Sequence, residues 1–346
     1  MGQEQLMAKV GKRALVIRIG RLGDTILATP IIQALRQSCG TDVVIDFAVA
    51  AGAGAAILGL DRRVSRVFGF RHCGVPWPLH PAKRALRKHS QHAPYDLVFN
   101  LECGQRCDDF VDFVQAREYF GRPRFFPGHL PGRHCVDTEK TVYADVLGAG
   151  VAAAAVPSLE PVSAAPKSAL AVPKGCVILN PGFSGLRKRG YRSHRGWPTS
   201  CWRDLIDLLT GAGHCVAING HAEERDLFRS LAERPGVLSL FGASLTELVA
   251  AMAGANCVIS VDTGTMHLAA ALGVPVVALF GPTDPQLTGP YPGRAPGRVL
   301  TSGIDCQPCF RTSLQKRCRS NRCMQELSPR RVFDEFERMI GKSQPR

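Results

Sequence analysis

Stretches that read as buried strands alternate with stretches at helical spacing, and a proline-rich segment divides the series in two. In the first half, residues 14–19 (ALVIRI) read as a buried strand, and 25–37 follow as a helix carrying Ile26, Leu27, Ile31 and Leu35 on one face. Residues 43–49 read as the next strand, an Ala/Gly-rich helix runs to Leu60, and 95–101 (YDLVFNL) form another strand. Residues 156–174 (VPSLEPVSAAPKSALAVPK) hold four prolines and little periodicity, so they mark a domain boundary. The rhythm then resumes. Strands are expected at 176–179, 214–218, Cys257–Val261 and 276–280, and helices at 202–210, 223–232, Leu245–Ala253 and 265–272. Strands alternating with helices predict an α/β fold whose parallel sheets carry helices on both faces. The 346 residues suit two such doubly wound, Rossmann-like domains facing a central cleft, with ligands at the carboxyl ends of the strands.

Four features sit where strands end. Asp262, Thr263, Gly264 and Thr265 follow the strand Cys257–Val261 and open a helix, where free N–H groups and the helix dipole favour phosphate. Asp262 would repel phosphate, so a sugar or ribose hydroxyl is its natural partner, and His267 lies near the same helix end. Capping of the helix by Asp262 or Thr263 is the competing reading. Asp24, after the turn of Gly20 and Gly23, is either an N-cap or a carboxylate able to take a proton from an incoming hydroxyl. The strand ending Asn180-Pro181-Gly182 leads into a loop bearing Arg187, Lys188, Arg189, Arg192, His194 and Arg195. Such cations suit a diphosphate leaving group or form a solvated basic loop. Glu223, past the strand at 214–218, either accepts from ribose hydroxyls or is an ordinary acidic residue at a helix start.

Cys306, Cys309, Cys318 and Cys323 lie within 18 residues, a spacing compatible with one tetrahedral metal site or with reduced thiols packing an irregular segment. Residues 1–13 are polar, with no signal peptide, and no stretch reaches ~18 clean apolar residues, so a cytoplasmic protein with mostly reduced cysteines is expected. The net charge of +14 favours anionic partners. Aromatic residues are only 7%, with no zinc-finger or RNA-binding signature, so nucleic acid is not an expected partner.

Taken together, "IRIGRLGDTILATPIIQALR", "NPG" followed by a basic residue two before Trp197-Pro198, "SVDTGTMHLAAALGVPVVALFGPTDP" and the "CQPC…C…CM" segment resemble glycosyltransferase family 9. These are the ADP-heptose:lipopolysaccharide heptosyltransferases, with the GT-B fold, and the resemblance covers about residues 13–340. It implies an acceptor-binding domain over 1–165, a donor-binding domain over 166–328, and a helix in 329–346 that packs back on the first domain. It implies transfer of a heptose from ADP-heptose to a sugar hydroxyl of the lipopolysaccharide inner core, inverting the anomeric centre with no metal in the chemistry. Asp24 would be the base. Ser184, Arg195, Glu223, Asp262, Thr263, Gly264 and His267 would bind the donor, with Arg195 standing where the family typically has Lys. No cofactor is required, although some relatives hold iron at the cysteine tail, so a structural metal on the four cysteines stays open. The acceptor would meet the enzyme at the inner leaflet, which suits peripheral association of a basic protein. Another nucleotide-sugar donor, a protein acceptor, a nucleotide-sugar epimerase, and a binding protein without turnover remain alternatives.

Overall fold

The computed structural model describes residues 13–71, 79–102, 110–121, 132–162, 172–183, 186 and 194–341. The chain divides into two compact units, Met1–Ser163 and Ala164–Arg346, and the division falls inside the proline-rich segment.

The first unit holds a five-stranded sheet in the order β3-β2-β1-β4-β5. Its strands are β1 (Arg13–Arg18), β2 (Val44–Ala50), β3 (Arg66–Phe70), β4 (Tyr95–Asn100) and β5 (Ala116–Gly121). All pairings are parallel, with Ala14 opposite both Ile45 and Leu97. The central strand β1 is covered on both faces, which is why it reads as an unbroken apolar run rather than an alternation. Leu15, Ile17, Phe68, Phe70, Leu86, Tyr95 and Val98 form a core on one side of the sheet. A buried carboxylate sits among them. Asp46 on β2 accepts from the Tyr95 hydroxyl at 2.8 Å and lies 3.1 Å from His89 Nε2. Burial, followed by the Asp46 charge, drives the Tyr95 phenol far above its ordinary range.

The helix expected over 25–37 is two helices, Leu22–Leu27 and Pro30–Cys39. Pro30 supplies no N–H and cannot continue a helix begun before it, so it starts the second one at its first turn.

The second unit holds six parallel strands in the order β11-β10-β9-β6-β7-β8. They are β6 (Val177–Asn180), β7 (Val216–Ile218), β8 (Val237–Ser239), β9 (Cys257–Val261), β10 (Val276–Leu279) and β11 (Gly297–Leu300). Counted from β6, this is the dinucleotide-fold order 3-2-1-4-5-6, in which chain direction across the sheet reverses between β6 and β9. The helix expected over 223–232 is instead a 3-10 turn, Ala222–Glu224, and a separate short helix, Arg229–Ala232. A disulfide joins Cys176 and Cys215, which flank the paired ends of β6 and β7 with their Cα atoms 4.5 Å apart. The other eight cysteines among the described residues are free.

The helix Pro329–Gly341 is where its apolar spacing predicts. Val332, Phe336 and Met339 join Trp202, Leu205, Leu209 and Val277 in the core of the second unit, against the helix Thr199–Gly211 and β10. Its buried apolar residues thus belong to the core of the second unit. His214 Nε2, 2.6 Å from Glu337 Oε1, adds a polar tie on the same side. Phe336→Ala is expected to destabilise the full chain by about 3–5 kcal/mol in urea unfolding, the range for a fully buried Phe. A loss below about 1 kcal/mol would mean that the helix is not part of this core.

Candidate functional site

Each sheet concentrates polar residues at the carboxyl ends of the two strands flanking its reversal point. In the first unit these are β1 and β4. The chain leaves β1 at Arg18, turns at Gly20, and enters the helix Leu22–Leu27, which carries Asp24 in its first turn. A Cβ on Gly20 would overlap the Asp24 side chain, with Oδ2 2.7 Å away, so only glycine lets the carboxylate fold back over the turn. Asp24 Oδ2 accepts from the Arg21 N–H at 2.8 Å, and Oδ1 accepts from Arg18 Nη2 at 3.2 Å. The capping role is thus real, yet the side chain stays 42% exposed, so capping does not hide it from an incoming group. Arg18 is itself buried, and its other nitrogens reach Glu102 after β4 at 3.1 Å and Glu139 in the helix Cys135–Lys140 at 3.0 Å. One guanidinium thus holds carboxylates from three segments. Sequence reasoning missed Arg18, Glu102 and Glu139 because nothing in their spacing announces that they converge.

In the second unit the reversal point lies between β6 and β9. Asn180, the last residue of β6, donates from Nδ2 to the Gly182 carbonyl at 3.1 Å and to Ser260 Oγ at 3.3 Å. Its Oδ1 accepts from Asn219 Nδ2 at 2.6 Å. These bonds stitch the carboxyl ends of β6, β7 and β9 together, and Asn180 and Asn219 are residues to which the sequence reading gave no role. Beside them, Asp262 is 6% exposed and follows β9 directly. Thr263 occupies the N-cap position of the helix Gly264–Ala271 in extended conformation and makes no side-chain cap bond, so its hydroxyl is not spent on the helix. His267 is buried within the first four residues of that helix.

Arg195 is drawn to the same place. Its Nη1 lies 3.5 Å from both Asp262 Oδ2 and the Asp262 carbonyl, and its guanidinium carbon is 4.8 Å from the Phe310 ring centre. Burial raises the Asp262 carboxyl above the ordinary carboxylate range, with Arg195 and the neighbouring Thr283 hydroxyl pulling the other way. Arg195, Asp262, Thr263, Gly264 and His267, chosen from the sequence, therefore gather at one strand-end region. Asp24 stands in the other unit. Ser184 and the loop 187–193 lie outside the described residues.

Glu223 is exposed on its 3-10 turn. Its neighbour Glu224 is the carboxylate that turns inward: Oε2 accepts from the His221 N–H at 3.0 Å and packs so tightly on Gly182 that no Cβ would fit there. The periodicity of a helix start cannot say which of two adjacent glutamates faces the strand ends.

Cys306, Cys309, Cys318 and Cys323 face a common cavity of about 460 Å³, with His194, Asp305, Arg317 and Arg322 also on its wall. Burial, followed by the neighbouring Cys309, Cys306 and Cys318, pushes the Cys323 thiol up to about 11. Among the described residues no group of three or more His, Cys, Asp or Glu is placed to share one metal ion.

A buried carboxyl that binds its proton more tightly when folded loses stability as pH rises through its raised folded-state value. Asp262→Asn is therefore expected to raise the melting temperature at pH 8 and to flatten its fall as pH rises above the ordinary carboxyl range. A lower melting temperature at pH 8 would show that the ionised carboxylate is needed to hold Arg195.

Among known proteins, the family model described as glycosyltransferase family 9 (heptosyltransferase) matches residues 133–318. Lipopolysaccharide heptosyltransferase 1 of Pseudomonas aeruginosa is 36% identical over 160 residues, which span 42% of this chain and 44% of that relative, less than half its length. Among solved structures, the glycosyl transferase family 9 protein of Veillonella parvula DSM 2008 superposes with a TM-score of 0.74 at 18% identity, covering 96% of this chain and 97% of that one. E. coli heptosyltransferase WaaC with ADP superposes with a TM-score of 0.70 at 22% identity, covering 94% and 99%. The two doubly wound units are thus those of the GT-B heptosyltransferase fold. With its family model covering more than half of the sequence, the chain belongs to glycosyltransferase family 9.

Proposed function

We propose that this protein transfers a heptose from ADP-heptose to a sugar hydroxyl of the lipopolysaccharide inner core, inverting the anomeric carbon. The observation that carries the reading is the strand-end group of the second unit. A buried Asp262 and an Arg195 at 3.5 Å stand at the reversal point of a dinucleotide-type sheet, beside a helix start with an uncommitted Thr263 hydroxyl. Such a place offers N–H groups and a cation to a diphosphate and a carboxylate to hydroxyls. The matched relative's name and the ADP in the WaaC structure support adenine as the base and heptose as the sugar.

In this reading the acceptor hydroxyl attacks C1 of the heptose as the bond from C1 to the β-phosphate oxygen breaks. The electron pair of that bond leaves with ADP, and the hydroxyl proton passes to the Asp24 carboxylate. Arg195 stabilises the charge gathering on the departing diphosphate. Glu224, rather than Glu223, takes the place of the donor-side acid, because its carboxylate turns toward Gly182. No metal enters the chemistry, and an ion on the cysteines would be structural only. No described helix is long and apolar enough to cross a membrane. The net charge of +14 suits peripheral contact with an anionic cytoplasmic membrane face, where the acceptor would be met.

Calorimetry with ADP, ADP-heptose and UDP, on the wild type and on Asp262→Ala, tests the donor class. Micromolar binding of the adenine compounds, lost in the variant, is expected. Preference for UDP would move the reading to another nucleotide sugar, and turnover of donor without acceptor would indicate an epimerase. Asp24→Ala is expected to lower transfer by about 10²- to 10⁴-fold while ADP affinity holds. Lost ADP affinity in that variant would sink its role as base.

A further inference from the structure

The segment after β11 carries the four cysteines and wraps the strand-end region through a series of backbone bonds. Gln307 Nε2 donates to the carbonyls of Phe280 and Gly281 at 3.1 and 2.7 Å. The N–H groups of Cys309 and Phe310 both donate to the Pro282 carbonyl at 2.8 Å. On its return the segment meets the residues around Arg195: His194 Nε2 is 3.2 Å from the Cys318 carbonyl, and Asn321 Nδ2 donates to the Gly196 carbonyl at 3.1 Å. Both flanks of Arg195 and the turn after β10 are thereby fixed to one strap.

Phe310 lies where these ties converge. Its ring centre is 4.8 Å from the Arg195 guanidinium carbon and 5.3 Å from that of Arg311, inside the range of a cation–π contact. Arg195's polar holds on Asp262 are both long, at 3.5 Å, and the side chain is 23% exposed. A flat, weakly hydrated guanidinium stacks on an aromatic face, whereas a lysine ammonium offers only a point charge. Arg195 and Phe310 thus read as a matched pair. The chain also reverses immediately after the ring, with Arg311 at φ 64° and its N–H donating to Gln315 Oε1 at 2.7 Å. A non-glycine residue in the left-handed region carries a cost that the surrounding bonds must offset.

We propose that Phe310 is a positioning residue for donor binding: its ring holds the Arg195 guanidinium in place for the nucleotide diphosphate. This rests on the reading that the second unit binds such a diphosphate. The cysteine-rich strap is then part of the donor site's frame, although none of its residues need touch the donor.

The test is a double-mutant cycle on diphosphate affinity, measured by calorimetry. Wild type is first titrated with ADP, UDP, GDP and inorganic pyrophosphate, and the tightest of these is used throughout. Phe310→Leu, which keeps apolar bulk and loses the ring face, is expected to bind about three- to tenfold more weakly. Phe310→Tyr, which keeps the face, is expected to restore affinity. In an Arg195→Lys background the effect of Phe310→Leu should shrink to below about twofold, because the stacking partner is gone. Unchanged affinity in Phe310→Leu, or an equal loss in both backgrounds, overturns the proposal, since the ring would then serve only the strap. Should Phe310→Leu melt below the assay temperature, Phe310→Met is read in its place with the same expectations. UDP or GDP as the tightest ligand removes the ADP-heptose reading while the cycle still decides the role of Phe310. No binding of any of the four removes both.

Discussion

Every strand pair in both sheets is parallel, and parallel pairing dictates where chemistry can occur. A chain that leaves one parallel strand must cross over to begin the next at the far end, so all the strand-to-helix turns of a sheet gather along one edge. At the reversal point, neighbouring turns lead away to opposite faces and leave a crevice. Residues distant in sequence meet there: Arg18, Asp24, Glu102 and Glu139 in the first unit, and Asn180, Arg195, Asn219 and Asp262 in the second. The packed cores behind them make the two crevices rigid backings for polar groups.

The two crevices manage charge differently. In the first, a buried arginine is shared among carboxylates, and Asp24 is held by one N–H and one guanidinium while remaining open to solvent. In the second, the carboxylate is the buried member and the arginine the half-exposed one. Asp262 accordingly sits uneasily as an anion, with its proton affinity raised by burial. A ligand offering hydroxyls to Asp262 and negative charge to Arg195 would satisfy both better than they satisfy each other at 3.5 Å.

The alternation of strands and helices, the domain division and most of the second unit's site were legible in the sequence because each rests on a local pattern. Central strands announce themselves as apolar runs, as β1 and β9 do. Edge strands do not: β5 reads AREYFG and is largely exposed, and β8 and β11 are short and face solvent on much of their surface. The polar helix Pro81–His92 was equally silent, since only Leu86 and Ser90 are buried. Arg195 and Asp262 could be chosen separately, but their meeting is a property of the sheet order. The ring under Arg195 comes from a segment 115 residues further along, which no spacing rule connects to it (310 − 195). The helix Pro329–Gly341 was legible as an element, but its partners in the core of the second unit were not, because an apolar stripe does not name the surface that covers it.

That helix also sets an order for the molecule's construction. The core of the first unit is complete once synthesis has passed Ser163, so it can close while the rest of the chain is still being made. The second unit has no such freedom. Trp202, Leu205 and Leu209 wait for Val332, Phe336 and Met339, which emerge from the ribosome after every strand of their sheet. Until then the residues that this helix covers lack part of their core. In the interval between translating β11 and the emergence of this helix, the apolar residues it covers are open to chaperones and to other nascent chains.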